Sequence, residues 1–186
     1  TVAQLICEID PVGIDLCKHG KLKHQMFWCT GPNNVWSSDG HDKLKPFGIA
    51  IYGFIDAWSQ KVLRLDAGPS NNDPCCIAYH YLQTALELGG IPQQTFTAHG
   101  SETGIMEAYQ MAFLLLYGSG DMCEQSRHAH IFKISPKNQK IESLWSLVHK
   151  HRGLQIHDEF QAGFDQVDEH GNCTYDPNDP LQKFVF

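Results

Sequence analysis

Arginine is almost missing from this chain, with three in 186 residues, and Lys plus Arg total 14 against 21 Asp plus Glu for a net charge of −7. A protein that grips nucleic acid by its phosphates usually carries a basic footprint, so strong free affinity for nucleic acid is not expected. The acid is concentrated late, since His157 to Pro180 holds seven carboxylates and no Lys or Arg. The seven cysteines contain no CxxC pair and their number is odd. That argues against a disulfide framework or a zinc module and favours reduced thiols in an intracellular compartment. Long apolar runs are also lacking. The longest, Met111 to Tyr117, has the length of a buried helix segment and excludes a helical membrane span, so the chain reads as soluble. The start has neither Met nor the layout of a secretory signal and reads as an excised or mature fragment.

What is present is a packed globule of alternating strands and helices, 42% hydrophobic and 11% aromatic. Residues 1–34, with the weakly basic CKHGKLKH, read as an extended arm. Val35 to Asp39 reads as a short strand, and Phe47 to Asp56 as a strong one, being rich in β-branched and aromatic residues. Lys61 to Asp66 reads as its antiparallel partner across Ala57-Trp58-Ser59-Gln60. Asn71-Asn72-Asp73-Pro74 then caps a helix whose apolar positions Ile77, Tyr81, Ala85 and Leu88 recur until Gly89-Gly90 stops it.

A strand ending at Ala98 follows, then a helix from Ser101 to about Tyr117 with Ile105, Ala108, Ala112 and Leu116 expected on its inner face. Ile131 to Ile134 reads as another strand. Ser135-Pro136 is expected to cap a helix with Ile141, Leu144, Trp145 and Val148 inward and Glu142 beside that face. The order predicts an α/β fold with a mixed sheet, antiparallel at first and parallel after the crossover, with helices on its faces. The acidic GNCTYDPNDP stretch reads as loop.

If the first and fourth strands are neighbours, Asp39, Ala98 and Glu142 converge at one edge of the sheet. Carboxylates at such a point suit Mg²⁺ or Mn²⁺, which prefer oxygen ligands, and two such ions about 3.5–4 Å apart serve phosphodiester chemistry. Spacing alone carries this weakly, because any single Asp or Glu is more often a solvated surface acid. The histidine pairs His128-Ala-His130 and His149-Lys-His151 have metal-compatible spacing but no Cys or carboxylate partner nearby in sequence, so surface or half-buried histidine is the better reading.

The segments GPNNVWSSDGHDKLKPFGIAIYGFIDAWSQKV, GPSNNDP, FTAHGSETG and SPKNQKIESLW resemble, in order and spacing, the catalytic core of the integrase and DDE transposase superfamily. Within it they are similar to an integrase-core branch from eukaryotic mobile elements, with patterns such as GPNxxWHxDGxDKLKP, RxDxGTEN and NQRIExxW. The likeness runs from roughly Asp10 to Gly153. It implies an RNase H-like (ribonuclease H-like) five-stranded mixed sheet flanked by helices, arranged as an arm over 1–34, an integrase-like core over 35–153 and an acidic extension over 154–186.

The resemblance also implies Asp39 as the first catalytic and metal-binding Asp, Glu142 as the catalytic and metal-binding Glu, and Ala98 at the vacant place of the second Asp. Other positions depart with it: Ser37 stands where the family usually has His, and Gln60 where it has Arg. Cys17, His19, His24 and Gln25 stand where relatives tend to carry Arg.

The functional expectation is an integrase core of transposable-element origin, ancestrally cutting and joining DNA with Mg or Mn, catalytically impaired here, with the metal weak or absent. DNA is a weak partner in this reading, protein partners are open, no membrane is involved, and the location is intracellular and compatible with the nucleus. Two alternatives stand beside it. One is a non-enzymatic interaction scaffold, and the other is an active integrase or nuclease with a compensated site. Each residue also has a plainer role: Asp39 as a turn cap with Gly40, Glu142 in an exposed ion pair with Lys137 or Lys140, Asp56 serving its turn, and Asn138 with Gln139 positioning the helix. Glu102 is expected to point away from the vacancy, and the His99 imidazole suits a hard Mg²⁺ pair poorly.

Overall fold

A computed structural model describes residues 29–118, 120, 125–133, 138–167 and 169. The arm up to residue 28, the expected cap at Ser135-Pro136 and the GNCTYDPNDP loop lie outside the described residues. Five strands form one sheet: β1 (Val35–His41), β2 (Ala50–Asp56), β3 (Val62–Gly68), β4 (Gln94–Thr97) and β5 (His130–Phe132). Their order across the sheet is β3-β2-β1-β4-β5, antiparallel among the first three and parallel from β1 to β4 and from β4 to β5. The helices are α1 (Pro74–Leu88), α2 (Gly104–Tyr117), α3 (Gln139–Val148) and α4 (Leu154–Asp165). This is the mixed five-stranded sheet with flanking helices that the motif order predicts.

β2 begins three residues later than expected. Pro46 and Gly48, the latter with φ of 77°, close Lys45–Phe47 into a 3₁₀ turn before the strand can start. The hairpin to β3 is fastened by Asp56, which is buried and accepts from the backbone N–H of Asn33 and of Ser59, both at 2.9 Å. That is the turn role expected of it.

Helix α1 starts and stops where its signals lie. Asp73 accepts from Cys75 N–H at 2.9 Å, Pro74 fills the first turn, and Gly89 ends the helix at φ 69°. For α2 the expected inner face is corrected. Ile105 and Leu116 are exposed, whereas Met106, Gln110 and Leu114 are buried. The neighbour decides this: α2 packs on α1, where the Tyr81 hydroxyl donates to Gln110 Oε1 at 2.5 Å and Gln110 Nε2 donates to Pro92 O at 2.8 Å. A glutamine whose amide oxygen and nitrogen are both hydrogen-bonded therefore occupies a core position that apolar periodicity does not reveal.

Alternation along the strands divides the core between the two faces of the sheet. Trp36, Tyr52 and Phe54 pack with Ile77, Tyr81 and Met106 beneath α1 and α2. Ile55 packs with Ile141 and Trp145 of α3 on the opposite face, and Leu144 joins them half-buried. The Trp145 ring lies so close to β2 that a Cβ on Gly53 would stand 2.8 Å from its Cη2. A glycine at 53 is what lets α3 approach the sheet there.

Candidate functional site at the junction of β1, β4 and α3

The parallel register pairs Trp36 with Thr95 and Ser37 with Phe96, and its continuation brings Asp39 level with Ala98. β1 runs two residues past Asp39 to His41, and β4 stops at Thr97, so Ala98 is the first residue after its strand and Asp39 lies within its own. Both expected boundaries therefore shift slightly, while the two positions stay side by side.

Ser37, Asp39 and His41 alternate onto the face of β1 that α3 covers. Asn138, just ahead of α3 and buried, ties the helix to that strand. Its Oδ1 accepts a short hydrogen bond from Ser37 Oγ, its Nδ2 donates to Ser38 O at 3.2 Å, and its backbone O accepts from Glu142 N–H at 3.3 Å. The start of α3 is thereby held against β1, one turn before Glu142. Ser37, whose family counterpart is usually His, here serves as a donor to Asn138.

Asp39 is half-buried, and its carboxyl is pushed up from 3.8 to about 6. Burial is the largest cause and the nearby charge of Glu142 the next, while a hydrogen bond from Gly40 N–H opposes them and Glu102 and Asp42 add smaller repulsions. The charge of Glu142 thus acts on Asp39 across the gap between α3 and β1.

Glu102 packs against its own turn. It sits in the 3₁₀ turn Ser101–Thr103, and its carboxylate folds back over Gly100, where an added Cβ would lie 2.0 Å from Oε2. Its charge reaches Asp39 and Tyr52, raising both. The spacing Gly100-x-Glu102 is the signal that was there to read, because only a residue without a side chain at 100 leaves that space.

The histidines divide by environment. His130 is buried between strands, with Nδ1 2.7 Å from Thr95 Oγ1 and Nε2 3.0 Å from Thr97 Oγ1, and burial lowers it to about 4. His99 stacks on Phe132 with ring centres 4.6 Å apart. His41 stacks on Trp145 at 4.8 Å and is lowered by burial first, then by Lys43 and His149. His149 and His151 are exposed. Among the described residues no three His, Cys, Asp or Glu side chains are arranged to hold a metal ion. None of the described helices is long and apolar enough to cross a membrane.

No curated protein matches the chain closely enough to count as a relative. Residues 26–185 match a family model described as an integrase core domain.

Proposed function

Since the chain belongs to the integrase core domain family, we propose that it is a core of transposable-element origin whose ancestral DNA-joining site lies at Asp39, Ala98 and Glu142 and is now catalytically impaired. The family's ancestral chemistry is polynucleotidyl transfer, the cutting and joining of DNA strands. One observation supports the assignment to these residues: the parallel β1–β4 register, which pairs Ser37 with Phe96, runs on towards Asp39 and Ala98, and the charge of Glu142 acts on Asp39.

In this reading Mg²⁺ or Mn²⁺, when bound, would supply the charge that activates an attacking oxygen and stabilises the leaving one. The residues present do not fit a pair of such ions. Ala98 offers a methyl group where an oxygen ligand is needed, and two carboxylates leave half the charge of two dications uncompensated. What the chain's own groups do is therefore limited. Asn138 and Ser37 hold α3 against β1, and Asp39 and Glu142 oppose one another.

The test is Ala98→Asp, titrated with Mn²⁺ by calorimetry and followed by melting temperature. Restoring the carboxylate is expected to tighten binding at least tenfold over the parent and to raise Tm on metal addition. If Ala98→Asp, Asp39→Asn and Glu142→Gln all take up Mn²⁺ as the parent does, the three positions are not a site. Glu102 favours a second reading, a site compensated by a different carboxylate, because its charge already reaches Asp39. In that case the parent binds Mn²⁺ and Glu102→Gln abolishes the binding. An interaction scaffold, placed in the nucleus or elsewhere in the cell, predicts no metal response in any of these proteins.

A further inference from the structure

β3 is the outermost strand of the sheet, and among the described residues no strand pairs with its free side. Natural sheet edges are usually guarded by shortness, by lysine or proline, or by a bulge. Val62–Gly68 is seven residues long and contains neither lysine nor proline. Its one irregularity lies near the start, where the ladder to β2 passes from Ile55 with Val62 to Phe54 with Arg64 and skips Leu63. From Arg64 to Gly68 the ladder is regular. Val62 and Leu65, 38% and 46% exposed, lie on the α3 side of the sheet opposite Ile55 and Gly53.

Arg64 and Asp66 lie on the other face, opposite Phe54 and Tyr52. Arg64 Nε donates to Asp66 Oδ2 at 2.7 Å and Nη1 donates to Glu87 Oε1 at 3.0 Å, which leaves further guanidinium donors for a partner. These charges decide which strand the edge can accept. When two copies of one strand pair antiparallel about a two-fold axis, opposed residues lie equally far on either side of the centre and on the same face of the sheet. Centred on Arg64 or on Asp66, the pairing would set like charges opposite one another. Centred on Leu65, it sets Arg64 of each copy opposite Asp66 of the other and brings the two Leu65 side chains together on the α3 side.

We propose that the free edge of β3 pairs antiparallel with β3 of a second copy of this chain, centred on Leu65, so that the two sheets become one continuous sheet. The pairing gives partners to the outward backbone groups of the edge. It adds two symmetry-related contacts between Arg64 and Asp66 and an apolar contact between the Leu65 side chains. β2 separates this edge from β1, so the dimer neither uses Asp39, Ala98 and Glu142 nor depends on their reading as a metal site.

The full chain is followed by sedimentation velocity over a concentration series, without divalent ions, and a reversible dimer is expected. Arg64→Asp and Asp66→Arg, checked for folding by circular dichroism, should each weaken the dimer about tenfold or more, because each sets like charges opposite one another twice. An equimolar mixture of the two variants restores opposite charges at both positions and should dimerise as the parent does. The double variant carrying both changes should do the same. Leu65→Lys, at an exposed position, should block the edge while leaving Arg64 and Asp66 in place. Leu116→Lys, an exposed change on α2, should leave the dimer unchanged. Single variants that dimerise like the parent, a mixture that stays monomeric, or a dimer lost in Leu116→Lys but kept in Leu65→Lys overturns the proposal. A monomeric parent also overturns it, and slow amide exchange along β3 in that monomer would assign the edge to a segment of its own chain.

Discussion

Replacing Asp39 by Asn should stabilise this protein at neutral pH, contrary to the usual result of altering a half-buried polar residue. The carboxyl titrates at about 6 in the fold against 3.8 for the free side chain. A folded-state value above the unfolded one means that the fold prefers the protonated form. Ionisation therefore costs stability, starting near pH 3.8 and reaching its full extent above about pH 6. Moving the titration by that amount corresponds to ~3 kcal/mol at pH 7.5 and only ~0.5 kcal/mol at pH 4.

Asn keeps the shape and can still accept from Gly40 N–H, but more weakly than a carboxylate, so a gain of about 2–3 kcal/mol at pH 7.5 is expected. For a chain of this length each kcal/mol moves Tm by roughly 2–4 °C, which predicts a rise of ~4–12 °C by circular dichroism at pH 7.5 and almost none at pH 4. Glu142→Gln should recover part of the gain, since Glu142 is the second cause of the shift. A Tm that falls in Asp39→Asn at pH 7.5, or that moves equally at both pH values, would refute the claim that burial and Glu142 oppose the Asp39 charge.

His130 works in the opposite direction. Its folded value of about 4 lies below the usual 6.5, so its contribution is complete above pH 6.5 and is lost as pH falls towards 4, by up to ~3 kcal/mol. Urea midpoints measured at pH 7 and pH 4.5 should show a smaller acid loss in His130→Gln than in the parent. Asn138→Ala removes the bonds to Ser37 and Ser38 and should cost ~1–3 kcal/mol. If Asn138 also holds Glu142 towards β1, the Asp39 carboxyl in that variant should titrate closer to 3.8 by NMR, and an unchanged titration would limit Asn138 to fastening the helix.

Local chemistry made much of this fold legible. The α1 boundaries follow from Asp73, Pro74 and Gly89, whose preferences act within a few residues. β2 and β3 follow from their β-branched and aromatic content and a short connection. The integrase-core motifs that place Asp39, Ala98 and Glu142 on neighbouring elements are likewise contiguous stretches of sequence.

Other features depend on which surfaces meet. The buried face of α2 turns on its contact with α1, and Gln110 takes a core place because Tyr81 and Pro92 O are there to satisfy it. Glu102 folds its carboxylate back over Gly100 because the backbone there leaves room for it. Ser37 meets Asn138 across 101 positions of chain. Composition and periodicity describe how each segment uses its own hydrogen bonds and apolar stripe. The charge felt by Asp39 and the partners of His130 arise from residues distant in sequence, and only the tertiary packing brings them together.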